Sequence, residues 1–291
     1  MKRILLLLLT LAFFVSCEDV IEIELPTETP RLTVDAIIRI DTTQNFTTAS
    51  IRIGLSSSFF DENQTTEIEQ VMILNPDYVP LGPLDANFIL FSETDPGIYE
   101  GTKNTGFFTS GELQLYIEVD EEVYYANTRY VSSVPIDSLE QGNETLFSGD
   151  EKEVIVTFTD KENRDDFYIL DFDFNQYLVT EDEFYQGQAF VFSYFYDIDL
   201  QLDADSTINI SLLGADESFY NYMNQIIVQS GGDQGPFQTP AATVRGNVFN
   251  VTGIENIEVL DNVESSDNFA LGYFAVVQEY KKSIVLENEE N

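Results

Sequence analysis

Histidine and tryptophan are absent from the sequence, cysteine occurs once, and only 13 of 291 residues are lysine or arginine. Each shortage removes a class of function. Without histidine there is no Ser-His-Asp or Cys-His catalytic unit and no histidine-bearing zinc site. A single cysteine, Cys17, rules out an intrachain disulfide and a Cys-x-x-Cys metal or redox pair. The few cations face 52 aspartates and glutamates, a net charge of -39, and two of them, Lys2 and Arg3, stand at the extreme N-terminus. Such a surface repels phosphate backbones, so nucleic acid is excluded as a partner. Anionic lipid repels it too, which excludes electrostatic docking on a membrane. The same field favours solubility, cationic partners and divalent ions. Aromatic platforms for sugars often use tryptophan; here Tyr and Phe would have to substitute.

What is present begins with MKRILLLLLTLAFFVSCED, residues 1–19. A basic start, an apolar run and a small residue before Cys17 are the layout of a secretory signal peptide. The run is about a dozen residues, short of the roughly 20 that a membrane span needs. Its end, Phe14-Val15-Ser16-Cys17, resembles a lipobox, in which the cysteine becomes the lipid-bearing first residue of the mature chain. The plainer alternative is an ordinary cleaved leader with an incidental cysteine. Lipidation gives the one thiol a role, and several acyl chains at about 0.8 kcal/mol per buried methylene hold firmly where one holds reversibly. The expectation is a signal peptide over 1–16 and a lipidated acidic tether over 17–30, kept extended by Pro26 and Pro30. Glu18 and Asp19 resemble the acidic export signal of Bacteroidetes lipoproteins. The expected location is therefore the outer membrane, lipid-anchored at Cys17 and facing the cell exterior.

The remainder reads as mainly β. Leu32, Val34, Ala36, Ile38 and Ile40 alternate with polar residues apart from Ile37, as do Ala49, Ile51, Ile53 and Leu55. Leu113, Leu115, Ile117 and Val119 alternate as well, and residues 123–131 pair with them across an acidic turn at 120–122. Weaker strands fall at 67–74 and 86–91, with a proline-rich loop over 75–83. Roughly seven short strands with turns every 8–12 residues predict an immunoglobulin-like β-sandwich over 31–134. A seam, Val134-Pro135-Ile136-Asp137, opens a second β domain over 135–282. Its strands begin at 154 and 168. Residues 189–196 are aromatic on both faces, which predicts burial between layers, and 197–205 alternates acids with aliphatics. One helix stands out over 216–230. Asp216 serves as its N-cap, Phe219, Tyr220, Met223, Ile226 and Ile227 form a stripe, and Gly231-Gly232 is its stop. The stripe predicts packing on the sheet of the second domain. Closing strands follow at 242–251 and 270–280, and 283–291 reads as an acidic tail. The fold class expected is two β-sandwich-like domains, the second carrying one helix.

Several short motifs, in order, carry a likeness. They are Cys17-Glu18-Asp19-Val20-Ile21-Glu22-Ile23, Pro30-Arg31-Leu32-Thr33-Val34-Asp35, Asp95-Pro96-Gly97-Ile98-Tyr99 and the seam at Val134. Pro240-Ala241-Ala242-Thr243-Val244-Arg245-Gly246-Asn247 and Ala270-Leu271-Gly272-Tyr273-Phe274 complete the set. The sequence resembles the Bacteroidetes lipoproteins catalogued as domain of unknown function 4249, over nearly the whole mature chain. The resemblance implies an outer-membrane lipoprotein accompanying a TonB-dependent receptor. It carries over no catalytic residues.

Other chemistry is thinner. Paired carboxylates occur throughout, so no pair singles out the two acids that a carboxylate-based hydrolase would converge on a cleft. Asp203-x-Asp205-x-Thr207 resembles the start of a calcium loop but lacks its glycine and distal glutamate, and alternation reads it as a solvated strand face. Gly231-Gly232-Asp233-Gln234-Gly235 lacks the Lys and Ser/Thr of a phosphate loop. Asp137-Ser138-Leu139 resembles a short O-glycosylation motif of this phylum. The sequence thus points to no catalytic, cofactor or metal residue, and Cys17 is its one site residue. It implies a non-enzymatic binding or accessory module whose ligand is unspecified. The alternatives are a secreted carboxylate hydrolase and a calcium-stabilised surface adhesin.

Overall fold

A computed structural model describes residues 30–57, 66–146, 149, 151–196, 206–230, 243–254 and 269–286. The leader, Cys17, the tether, the acidic strand expected at 197–205 and the glycine stop at 231–232 lie outside the described residues.

The alternating segments become strands with one dry face. β1 (Leu32–Ile40) buries Leu32, Val34, Ala36, Ile38 and Ile40, and β2 (Phe46–Leu55) buries Thr47, Ala49, Ile51 and Ile53. β3 (Gln70–Leu74), β4 (Phe88–Leu90), β5 (Ser92–Asp95) and β6 (Ile98–Asn104) follow, then a short helix, α1 (Thr105–Phe108). β7 (Glu112–Val119) and β8 (Glu122–Val131) form the expected hairpin. Its two loop residues, Asp120 and Glu121, have φ of 50° and 63°. That is the left-handed pair a primed hairpin turn requires, although neither residue is glycine.

The second half supplies β9 (Ile136–Gln141), β10 (Lys152–Thr159), β11 (Phe167–Asp171), β12 (Tyr177–Glu181), β13 (Ala189–Tyr196) and β14 (Thr207–Ala215). α2 (Glu217–Ser230), β15 (Phe249–Asn250) and β16 (Leu271–Val285) complete the described elements. The large sheet runs β4-β3-β7-β8-β16-β1-β2-β6-β5. It folds on itself, so that Ile38 and Ile51 share one core with Ile73, Leu115 and Ile117. In the second lobe the sheet β13-β10-β9 packs on β12-β11-β14. Val154, Val156 and Phe158 there meet Tyr168, Leu170, Ile210 and Leu212. α2 covers the opposite face of β11 and β14, with Phe219 and Met223 against Ile169, Leu213 and Ala275. Asp216 caps it as expected, its Oδ1 accepting from the Phe219 N–H at 2.8 Å.

The two lobes are not separable at residue 134. β16 pairs in parallel with β1 from Leu271 to Gln278, touches β8 at Val276 and Val277, then pairs antiparallel with β14 from Glu279 to Val285. Val248, Ala270, Phe274 and Val276 complete the core of the first lobe, so residues 31–134 do not close it alone. The strand also overruns the tail expected from 283. Ile284 packs on the second core and Leu286 is buried within it. Lys281 and Lys282 hid this continuation, because an exposed edge-like stretch in mid-strand resembles a terminus. β13 departs from expectation as well. Phe190, Phe192, Tyr194 and Tyr196 face inward, but Ala189, Val191 and Ser193 are exposed, so only one of its faces is covered.

Backbone contact holds β1 and β16 together. Gly272 lies opposite Val34 with φ 102°, and a Cβ there would sit 1.9 Å from the Val34 carbonyl oxygen. A Cβ on Gly246 would sit 1.5 Å from the Gly272 oxygen. Asn247 clasps the far side: its Nδ2 donates to the Phe274 carbonyl and its Oδ1 accepts from the Phe274 N–H, both at 2.8 Å. Arg31 and Arg245 lie over the Phe269 ring at 4.7 and 4.6 Å.

Gly272→Ala combines left-handed strain with a backbone collision and is expected to cost more than about 3 kcal/mol. Gly82→Ala meets nothing within 4 Å and is expected to leave the chain's stability unchanged in denaturant titration. Equal midpoints for the two variants would contradict the lock. Burial also lifts the hydroxyls of Tyr125, Tyr130 and Tyr222 to about 12, and that of Tyr78 likewise, where donation to Asp85 at 2.7 Å adds to it. Unfolded tyrosines ionise near 10, so the stability they contribute is whole below about pH 10 and lost as pH rises through about 12. Tyrosinate absorbance and far-UV circular dichroism are expected to change together in that window. Ionisation near pH 10 with the fold intact would contradict this.

Candidate functional site

The described carboxylates that converge most closely lie where β10 hands over to β11. Asp160 follows the last residue of β10, Asp166 precedes the first residue of β11, and Asp182 opens a 3-10 turn directly after β12. The β11–β12 hairpin brings the third acid beside the other two, since Phe167 pairs with Glu181. All three are buried, at 4, 6 and 6 % exposure. One carboxylate oxygen from each lies within 4.8 Å of the others.

Their partners are unequal. Asp160 is held at both oxygens: the Tyr168 hydroxyl donates to Oδ1 at 2.6 Å and the Gly187 N–H to Oδ2 at 2.7 Å. The Tyr168 oxygen also lies 3.1 Å from Asp166 Oδ2. Asp166 Oδ1 meets the Nε of Arg164, whose Nη1 donates to Ser132 Oγ at 2.5 Å. Asp182 is fixed through its backbone, donating to the Asp166 carbonyl at 3.1 Å and accepting from the Tyr185 N–H at 2.9 Å. Its Oδ2 is buried with no hydrogen-bond partner, as is Nη2 of Arg164. Burial pushes both Asp166 and Asp182 above the usual carboxylate range. Arg164 opposes the rise at Asp166, while at Asp182 backbone hydrogen bonding from Asp166 opposes it and the charges of Asp160 and Asp165 reinforce it. Burial and donation to Asp160 push the Tyr168 hydroxyl far above its ordinary value.

Nothing in the sequence singled out this trio. In a chain with 52 acids, three at separations of 6 and 16 residues form no recognisable ligand spacing. The hairpin register that joins them is a tertiary fact. Of the residues the sequence did raise, Cys17, Asp203, Asp205 and Gly231–Gly235 lie outside the described residues, and Thr207 begins β14. Ser138 is half-buried in β9 opposite Thr157, within a strand ladder rather than at a loop tip. Asp137 accepts from Thr159 Oγ1 at 2.8 Å.

A second concentration of side chains lies along the inner face of β13. Phe172 stacks on Tyr194 at 3.7 Å with planes 7° apart, and Tyr185 stacks on Phe190 at 4.3 Å. Phe158 meets Tyr168 and Tyr185 edge-on. These rings spend their faces on one another, which makes them core material before they are a platform for sugars. Next to them Asp173, Phe174 and Asn175 all take left-handed backbone, φ 60°, 53° and 59°. Asp173 Oδ2 secures that turn by accepting from both the backbone N–H and Nδ2 of Asn209, at 2.8 and 3.1 Å.

Three of the six segments that carried the family likeness meet at the β1–β16 lock: Arg31 to Asp35, Arg245 to Asn247, and Ala270 to Phe274. A search of curated proteins returned no match. The family model described as Domain of unknown function (DUF4249) spans residues 18–283, and the chain belongs to that family.

Proposed function

We propose that the chain is a cell-envelope lipoprotein, held at the outer membrane through Cys17 and exposed to the exterior. There it works as a non-enzymatic binding or accessory module beside a TonB-dependent transporter. The observation that carries the reading is the position of the one thiol, at the end of an apolar run too short to span a bilayer and directly before an acidic tether. The tether enters the body at β1, between β2 and β16 in the large sheet. An anchor there holds the lobe through its central strands rather than through a peelable edge. With Lys2 and Arg3 gone with the leader, 52 acids face 11 cations, and such a chain stays off the anionic surface that its lipid reaches, leaving its faces free for a protein partner. The converging carboxylates argue for a module over a hydrolase. All three are buried, and Asp160 and Asp166 are engaged by Tyr168, Gly187 and Arg164, whereas a glycosidase sets two carboxyl groups across a substrate cleft.

Metabolic labelling with a fatty-acid alkyne is expected to mark the wild-type product and leave Cys17→Ser unmarked, and only the marked form partitions into detergent with outer membranes. Crosslinking in intact cells is expected to join the wild-type product to an outer-membrane β-barrel receptor identified by mass spectrometry. An unlabelled wild-type product, or a receptor contact that never forms, would overturn the anchor or the partnership respectively.

A further inference from the structure

We propose that Asp160, Asp166 and Asp182 form a binding site for one divalent cation, calcium by their chemistry, which ties the β10–β11 connection to the end of β12. Three hard oxygen donors converge within 4.8 Å on side chains that are 94 to 96 % buried, and no soft ligand competes. The independent sign of a ligand is Asp182 Oδ2. It is shut off from solvent, lacks any donor, and belongs to the residue that completes the trio. A buried carboxylate oxygen left without a partner is rare in a folded protein unless an ion or a water satisfies it.

Charge gives the same answer. Three carboxylates and the Arg164 guanidinium leave two negative charges in a buried space, which one divalent ion neutralises. The contacts already made, two hydrogen bonds to Asp160 and an ion pair to Asp166, are those of an outer shell. Tyr168 and Gly187 orient Asp160, and Arg164 orients Asp166, while every carboxylate oxygen keeps a lone pair for a metal. Calcium suits the site better than magnesium. It accepts irregular carboxylate and water sets, whereas magnesium demands a near-ideal octahedron and holds its waters. The staple would reach further than its own loops, because Arg164 also binds Ser132, one residue ahead of Ser133, whose N–H donates to Gln278 of β16 at 3.0 Å.

The rival arrangement is protein-only, with Nη2 of Arg164 turned onto Asp182. Calorimetric titration of calcium chloride into the chelator-stripped full chain in detergent separates the two. The expected result is one saturable site and a melting temperature raised by about 5 °C or more at saturation. Asp182→Asn is expected to weaken calcium binding at least about 10-fold, and Glu118→Gln, exposed on β7 in the other lobe, to leave it unchanged. Should Asp182→Asn fail to fold, terbium emission sensitised by Tyr168 in the wild-type chain, and displaced by calcium, gives the same readout. No heat and no thermal shift up to about 10 mM calcium would overturn the site, as would binding indifferent to Asp182→Asn. An equal response to magnesium would overturn the assignment to calcium.

Discussion

The structure depends on how closely three backbone segments approach one another where β16 runs beside β1. The Val34 carbonyl lies where a Cβ on residue 272 would be, and the Gly272 carbonyl where a Cβ on residue 246 would be. No side chain fits at either place, so the parallel register Val34 to Gly272 is fixed by steric exclusion as much as by hydrogen bonding. From that point β16 does two jobs in sequence. Its first half fills a gap between β1 and β8, and its second half extends the sheet of β11 and β14. A strand shared in this way makes the lobes one cooperative unit, because the first core is open without Phe274 and Val276 and the second without Leu286. The pairing joins the start of the described chain to its end, so loop-closure entropy must be met before β1 gains its partner.

Scarcity of cations shapes the rest. With 13 against 52, each lysine or arginine has many possible partners, and several of the described ones, Arg39, Lys103 and Arg164 among them, sit where distant segments join. Arg39 of β1 reaches Asp171 of β11 at 2.7 Å and Glu279 of β16 at 3.2 Å, linking the lobes. Burial works against its charge, but the two carboxylates outweigh the penalty and hold the guanidinium above its usual pKa. Lys103 meets Asp85 at 2.5 Å and lies near the rings of Tyr78 and Phe107. The Leu81 N–H, with Lys103 and the Tyr78 hydroxyl, draws the Asp85 carboxyl well below its ordinary range and pins the loop between β3 and β4. Partly exposed pairs of this kind contribute little energy singly. Their value here lies in position: each selects one arrangement among many that an acidic chain would otherwise find equivalent.

Local chemistry explains what could be read in advance. β1, β2 and β7 alternate, Ile37 apart, and one buried face per strand is enough to reveal them, whereas β8 buries Tyr124, Tyr125 and Ala126 in succession and was legible only from its pairing across the acidic turn. α2 was legible from Asp216 through Met223 because a cap and a stripe are both local signals. The closing strand expected at 242–251 shortens, among the described residues, to β15, two residues paired to Tyr124 and Tyr125. The length of β16 was hidden by Lys281 and Lys282, and the division at residue 134 by a strand that returns from the far end of the chain. β13 misled in the opposite way. Val191 is apolar and exposed, so apolar residues on both faces did not mean two covered faces.

The acidic trio shows why a site can be invisible when its fold is not. Asp160 and Asp166 end and begin strands, where a polar residue is unremarkable, and Asp182 opens a turn, where aspartate is the expected residue. Each position has an adequate local explanation, and the three meet only through the β11–β12 register. The family motifs behave differently. Arg31 to Asp35, Arg245 to Asn247 and Ala270 to Phe274 converge, yet what they converge on is backbone carbonyls, a clasping asparagine and a ring between two guanidinium groups. These residues report how the chain closes, and the buried acids that converge at the end of β10 stand apart from them.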